Sequence, residues 1–254
     1  MLLTKDQIDV FKRDGVLTLR GVFSPDEIDL WRREVLAFFD NPKTSDQWRD
    51  SLRARKSHDF RFDPGPTPLD HAAFSAVYSS LHGTLRWSGE NELVIRAGDE
   101  PAPWLGARAP HLDFPVYAPI RTLANSAIYL SDVKEHGGSF MYWPGSHHIA
   151  WQYFREYPDD YLSQGCRSQD QVFARIKARM TSPPVEFVGS SGDVMIWHSL
   201  ILHSASVNKE SDARLAVFGR WGAALADEPI YDFDGDMWAY WDFRPATIAA
   251  DTRQ

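Results

Sequence analysis

The spacing of hydrophobic positions divides this chain of 254 residues into a helical opening and a strand-rich remainder, with the change near Gly83. Thr4 and Gln7 have the spacing of a capping box, and Ile8 and Phe11 then recur at helical intervals until Gly15 stops the segment. Val16, Leu17, Thr18 and Leu19 read as a strand. Ser24, Pro25 and Glu27 start a second helix that sets Ile28, Trp31, Val35 and Phe38 on one face. Residues 41–68 are charged and interrupted by Pro42, Pro64, Pro66 and Pro68, which predicts a long surface loop or lid. A further helix is expected over 69–81, burying Phe74, Val77, Tyr78 and Leu81.

Beyond Gly83, short apolar stretches alternate with Gly, Pro, Asn and Asp. Strands are expected near 93–96, 111–114, 122–130, 139–143, 185–188, 193–197, 201–206 and 214–221, with a helical insert over 149–180. About eight short strands predict a mainly β fold, a jelly roll or double-stranded β-helix of cupin type. The expected organisation is one domain over 1–254, with 1–82 as helical support and lid and 83–254 as the core carrying the insert.

Composition narrows the functions. Twenty-seven basic against 35 acidic side chains leave a net charge of −8, which argues against a general nucleic-acid binder, since phosphate contacts need a basic field. No apolar run approaches a membrane span, and the N-terminus turns polar too early for a signal peptide, so the expectation is a cytoplasmic protein without a membrane partner. The lone Cys166 excludes an internal disulfide and any thiolate-built metal site. A bound metal must be held by His and carboxylates.

His111 and Asp113, two residues apart on an expected strand, would point to the same sheet face. By itself a His-x-Asp pair has little specificity. His203, in a second strand, offers a third ligand, and two His plus one carboxylate is the set that holds Fe(II) with open positions. His198 competes with His203 for that place. Arg214, eleven residues beyond His203, is of the type that grips a dicarboxylate in a fork. Arg220 stands at an even offset from Arg214 and would share its face, either for an anionic substrate group or for an internal salt bridge. The basic run Arg49, Arg53, Arg55, Lys56 and Arg61 is read as a solvated loop rather than a clasp for a polyanionic carrier.

These features in this order resemble the phytanoyl-CoA hydroxylase-like (PhyH) branch of the Fe(II)/2-oxoglutarate-dependent dioxygenases. The resemblance spans nearly the whole chain. It is carried by Phe11 to Val16, by His111-x-Asp113, by Gly137, Gly138 and Ser139 leading to Pro144, Gly145, Ser146 and His147, and by Gly192 and Asp193 leading to His203, Asn208 and Arg214. It implies a double-stranded β-helix in which His111, Asp113 and His203 bind iron and Arg214 binds the distal carboxylate of 2-oxoglutarate. It further implies that O₂ is consumed while 2-oxoglutarate is decarboxylated and a small second substrate is oxidised. Strand-by-strand matching adds Leu93 and the strand of Asn125, Ala127 and Tyr129 to the cosubstrate pocket, with Asn125 as a polar contact. Two positions depart from the pattern, since Ala127 stands where a large Trp is common and Ala205 where some members place a hydroxyl. A carboxylate at 113 favours hydroxylation over halogenation.

Ten Trp is a high count, and seven lie at or after Trp104. By the same resemblance, Trp104, Tyr117, Trp143, Trp221, Trp238 and Trp241 lie on segments around the mouth of the barrel and, with Tyr129 and Arg220, are expected at an aromatic substrate pocket, with packing of loops onto the barrel as the alternative for each tryptophan. The alternative is a jelly-roll protein whose metal serves binding or non-redox chemistry, or a catalytically silent binding module. Arg214 separates the readings, because only a keto-acid enzyme requires it. Substrate identity and oligomeric state are left open.

Overall fold

The computed structural model describes residues 2–62, 67–81, 85–87, 92–113, 122–162, 169–223, 233–239 and 241–246. Helix α1 (Lys5–Asp14) opens with the capping box, Thr4 accepting from Gln7 N–H, and closes on Gly15 at φ 72°. Strand β1 (Val16–Leu19) leads to α2 (Pro25–Phe38), which carries a second capping box from Ser24 and Glu27 with Pro at its start.

The expected loop over 41–68 is corrected in its first half by α3 (Ser45–Ala54), followed by a single 3₁₀ turn at Ser57–Asp59. The charge run misled because its charges pair within the helix: Arg49 with Asp46 and Arg53 with Asp50, each at i, i+3. Trp48, one of its two buried residues, anchors that helix against Phe39 at 5.6 Å between ring centroids. Arg55 pairs with Asp40, so these three arginines are engaged within the chain. A 3₁₀ turn at Pro68–Asp70 precedes α4 (Ala72–Leu81), in place of one continuous helix from 69.

Two antiparallel sheets follow. The larger contains β1, β2 (Leu85–Trp87), β3 (Glu92–Arg96), β4 (Thr122–Tyr129), β7 (Val194–His198) and β9 (Arg214–Ala223), in the order β1-β7-β4-β9-β2, with β3 also pairing β9. The smaller has the order β6-β5-β8, from β5 (Phe140–Tyr142), β6 (Val185–Glu186) and β8 (His203–Ala205). Between β5 and β6 lie α5 (Ser146–Glu156), α6 (Pro158–Leu162) and α7 (Gln169–Ala178), where the helical insert was expected. The arrangement is the expected mainly β jelly roll with N-terminal and inserted helices.

Period-2 alternation assigns each strand residue to one of two cores. Ala127, Tyr129, Phe140, Met195, Trp197, Ile201 and Ala216 form the inner cluster, with Tyr142 and Phe218 packed on it. Ile128, Val194, Ile196, Leu215, Val217 and Trp221 face outward into a larger cluster with Phe11, Trp31, Phe74 and Tyr78 of the helices. Tyr78 and Trp221 stack at 3.7 Å between centroids, and Leu69 fills the space over Gly219, where a Cβ would come within 2.8 Å of it. The helical layer is thus the outer wall of the large sheet.

The 143–148 turn ties this wall to the barrel. Gly145 N–H donates to Asp14 O at 2.8 Å, Ser146 Oγ accepts from Leu202 N–H at 2.8 Å, and His147 Nε2 donates to Lys12 O at 3.0 Å. The end of α1 is therefore fastened to the backbone immediately before His203. No helix among the described residues is long and apolar enough to cross a membrane.

Candidate metal centre and cosubstrate pocket

His111 and His203 meet through an isolated antiparallel bridge: His111 N–H donates to His203 O at 2.8 Å, and His203 N–H returns a bond to His111 O at 3.0 Å. Asp113 lies with Oδ1 3.7 Å from His111 Nε2 and Oδ2 3.2 Å from His203 Nε2. One ligand atom from each residue falls within 4.8 Å of the others.

Both rings are held from behind. His111 Nδ1 lies 2.8 Å from Ala109 O, and His203 Nδ1 lies 2.9 Å from Ile201 O. A carbonyl only accepts, so each Nδ1 carries the proton and each Nε2 keeps its lone pair for a cation. Burial pushes the Asp113 carboxyl up, but His203, His111 and Arg220 outweigh it and hold the group well below the usual carboxylate range. Burial pulls His203 down, yet Asp113 more than reverses this, while His111 is lowered by burial and by its neighbour His203. Two imidazoles presenting Nε2 beside an ionised carboxylate are the donor set of a non-haem Fe(II) site.

Two contacts that sequence reasoning missed complete this shell. Trp197 donates its indole N–H to Asp113 Oδ2 at 3.3 Å, and Phe140 stacks on His203 at 4.8 Å between centroids. Their inward parity within β7 and β5 is visible in the sequence, but their pairing with ligands on other strands is not. His198, the competitor, is the next residue after Trp197 and faces the outer layer, 5.3 Å from Trp241 between ring centroids. A second cluster of Glu135, His136 and Glu186 also has ligand spacing. There Glu186 Oε1 already accepts from His136 N–H and Ser139 Oγ, which makes the cluster a turn brace.

Within the barrel, Arg214 Nε and Nη2, both amide atoms of Asn125 and the Tyr129 hydroxyl are buried without a hydrogen-bond partner among the described residues. An orphaned buried polar group costs roughly 1–3 kcal/mol, so such a concentration suits a polar ligand. Arg214 is 2% exposed, and burial pushes its guanidinium down to about 10, an effect partly offset by Tyr129. Ala127 shares this inner face, opposite Met195 and Phe218, and Ala205 sits opposite the inward Phe140.

Other expected pocket residues are elsewhere. Leu93 pairs with Val217 and belongs to the outer cluster, so the inward positions of β3 are Val94, opposite Ala216, and Arg96, opposite Arg214. Trp221 has odd parity from Arg214; it packs outside on Tyr78 and donates to Ser126 Oγ at 2.9 Å. Trp143 is likewise outward, in the large cluster beneath Lys177. Trp238 lies against Phe11, His147, His148 and His198 behind the large sheet. Trp104 lies tilted against His136 at 4.0 Å between centroids. Arg220, by contrast, shares the face of Arg214: it is about half exposed, pairs with Glu92 at 2.8 Å and acts on Asp113. Tyr117 lies outside the described residues. Packing, the alternative for each tryptophan, is where Trp143, Trp221 and Trp238 are found, since an indole is as useful for packing helices onto a sheet as for lining a pocket.

The phytanoyl-CoA dioxygenase (PhyH) family model matches residues 11–216. No curated protein matches the sequence. Among solved structures, apo HygX from Streptomyces hygroscopicus aligns at 17% identity over 93% of this chain and 95% of its own, with a TM-score of 0.53. SnoK, the non-heme alpha ketoglutarate dependent carbocyclase from nogalamycin biosynthesis, aligns at 16% identity over 87% and 85%, with a TM-score of 0.58. AviO1 from Streptomyces viridochromogenes Tue57 aligns at 20% identity over 91% and 98%, with a TM-score of 0.57. At these identities the likeness speaks for the fold. The family match covers most of the chain and includes His111, Asp113, His203 and Arg214, and the chain belongs to the phytanoyl-CoA dioxygenase family, non-haem enzymes that use Fe(II), 2-oxoglutarate and O₂.

Proposed function

We propose that His111, Asp113 and His203 hold Fe(II), that Arg214 with Asn125 and Tyr129 receives 2-oxoglutarate, and that the enzyme hydroxylates an unactivated C–H bond of a small organic substrate, releasing succinate and CO₂. One observation carries this reading: the ligand triad and a set of partnerless buried polar atoms line the same barrel. Bound there, iron and keto-acid supply the oxidising chemistry with O₂.

The chain's own residues bind, orient and exclude. Asp113 stays ionised because of the two imidazoles and Arg220 near it, and Trp197 N–H donates to Oδ2, the oxygen that also faces His203, and so orients the carboxylate. The carbonyls of Ala109 and Ile201 hold both rings in the ligating tautomer. Phe140 and Trp197 close the floor around His203 against water. Arg214, always charged and fork-shaped, suits the free carboxylate end of a keto-diacid. The carboxylate at 113 fills the place that a halide would need, which supports oxygenation over halogenation.

The test begins with anaerobic addition of Fe(II) and 2-oxoglutarate, watching for the visible absorption of the keto-acid chelate. Its absence while iron binds rejects the oxygenase reading and leaves non-redox metal chemistry or a silent binding module. Retention of full 2-oxoglutarate affinity in Arg214→Ala rejects the role given to Arg214. SnoK is named a carbocyclase and SnoN an epimerase, so the product is checked directly. A compound that stimulates succinate release should gain one oxygen atom; a product of unchanged oxygen content rejects hydroxylation.

A further inference from the structure

The register of β3 on β9 sets Arg96 directly opposite Arg214. Opposed residues of an antiparallel pair project to the same side, and here that side carries Ala216 of the inner cluster. Like charges in directly opposed positions repel and destabilise a sheet unless something negative lies between them. Among the described residues, neither Arg96 nor Arg214 has a carboxylate within ion-pair distance, although the ion pairs of Arg20, Arg49, Arg53, Arg55 and Arg220 are all formed.

The Arg96 side chain is exposed at the end of β3, while its backbone is held in place. Asn208 Nδ2 donates to Arg96 O at 3.0 Å and to Asp212 O at 2.7 Å, fixing the end of β3 to the turn that precedes Arg214. A Cβ on Gly138 would stand 3.1 Å from Arg96 Cβ, so glycine there leaves room for the side chain. Arg96 lines a cavity of about 370 Å³ whose walls also include His111 and Ala205. Glu100 and Arg108 line it too, and Glu100 forms no ion pair with Arg96, so one space has a candidate iron ligand at its edge and this cation in its wall. Burial and Arg108 weaken the hold of Arg96 on its proton, against an opposing pull from Glu100, and Arg96 does the same to Arg214, the electrostatic mark of cations gathered close together.

We infer that Arg96 is a second cosubstrate-binding residue, sharing with Arg214 the distal carboxylate of 2-oxoglutarate. The inference rests on the oxygenase reading above. A carboxylate between two guanidinium groups accepts charge-assisted hydrogen bonds from both and relieves their repulsion. It also gives the edge strand β3 a function that its short length and exposure leave unexplained.

The test compares two keto-acids with the same chelating end, 2-oxoglutarate and 2-oxobutyrate, the second ending in a methyl group. Each is titrated anaerobically into the Fe(II)-loaded protein by its visible chelate absorption. Arg96→Gln should raise the Kd of 2-oxoglutarate by about tenfold or more, the scale of one charge-assisted hydrogen bond, and leave that of 2-oxobutyrate within twofold. Arg96→Lys should fall between, and Arg108→Gln, which removes a neighbouring cation of the same cavity, should leave both unchanged. Unchanged 2-oxoglutarate affinity in Arg96→Gln, equal weakening of both keto-acids, or an equal effect of Arg108→Gln each overturns the inference. Thermal melting without metal or keto-acid supplies a second readout. Removing one of two opposed like charges should hold or raise the melting temperature, and a large drop would mark Arg96 as structural and also overturn it. If the wild type binds iron but shows no chelate absorption with either acid, the oxygenase reading itself has failed, a result distinct from all of these.

Discussion

The indole N–H of Trp197 reaches across the inner face of β7 to Asp113 Oδ2 at 3.3 Å, tying the floor of the barrel to the carboxylate of the ligand triad. Trp197 is fully buried and also lies 5.7 Å from the His203 ring between centroids. Trp197→Phe keeps most of the packing and deletes the donor. Loss of such a partner to a metal ligand costs about 10- to 100-fold in metal affinity. We expect at least tenfold weaker binding of Fe(II), measured by anaerobic calorimetry, with the fold retained; unchanged affinity would show that the contact does not orient Asp113.

Trp221 makes the opposite case. It stacks on Tyr78 outside the barrel, so Trp221→Ala should destabilise the protein by about 3–5 kcal/mol in denaturant unfolding. Metal and 2-oxoglutarate affinities of the folded fraction should not change. A selective loss of affinity with stability intact would return Trp221 to the pocket.

Gly15 ends α1 with a positive φ of 72°, and a Cβ there would meet His147 Nδ1 and Ile201 Cδ1 at 2.5 Å each. Both the conformation and the space exclude a side chain. Gly15→Ala should cost about 3 kcal/mol, from left-handed strain plus overpacking. Unfolding midpoints measure this, and a neutral result would mean that the junction of α1 and β1 relaxes freely.

His147 and His198 are buried and neutral behind the large sheet. Burial, then His148, pushes His147 down to about 3; burial, then His147 and His148, carries His198 well below its ordinary value. The unfolded chain takes up these protons near pH 6.5 and the folded chain does not, so stability is complete above that pH and falls as pH drops below it. The loss levels off for His147 only near its folded value of about 3. Between pH 7.5 and 5.5 the two together should cost about 2–3 kcal/mol in the metal-free protein, followed by denaturant unfolding. His147→Gln should reduce that slope by about half. Stability that rises on acidification across this window would contradict the assignment.

The local grammar of this chain was written in its sequence. Thr4 with Gln7 and Ser24 with Glu27 cap helices where their spacing requires it, because capping is satisfied within one turn. Parity within β9 set Arg214 and Trp221 on opposite faces, because side chains alternate along any strand. The His-x-Asp pair and the later His and Arg could be recognised as a set from order and spacing. What parity could not supply was which face is the inside. That depended on β3 pairing β9 in a register that turns Leu93 outward and Arg96 inward, and on α1, α2 and α4 covering one side of the large sheet. It depended also on the bridge that brings His111 to His203 from 92 positions away, with Trp197 and Phe140 gathered around them. Local hydrogen bonds and alternation act over a few residues and can be read in one dimension. The inside of a barrel is defined by contacts between distant strands, and only the tertiary structure decides those.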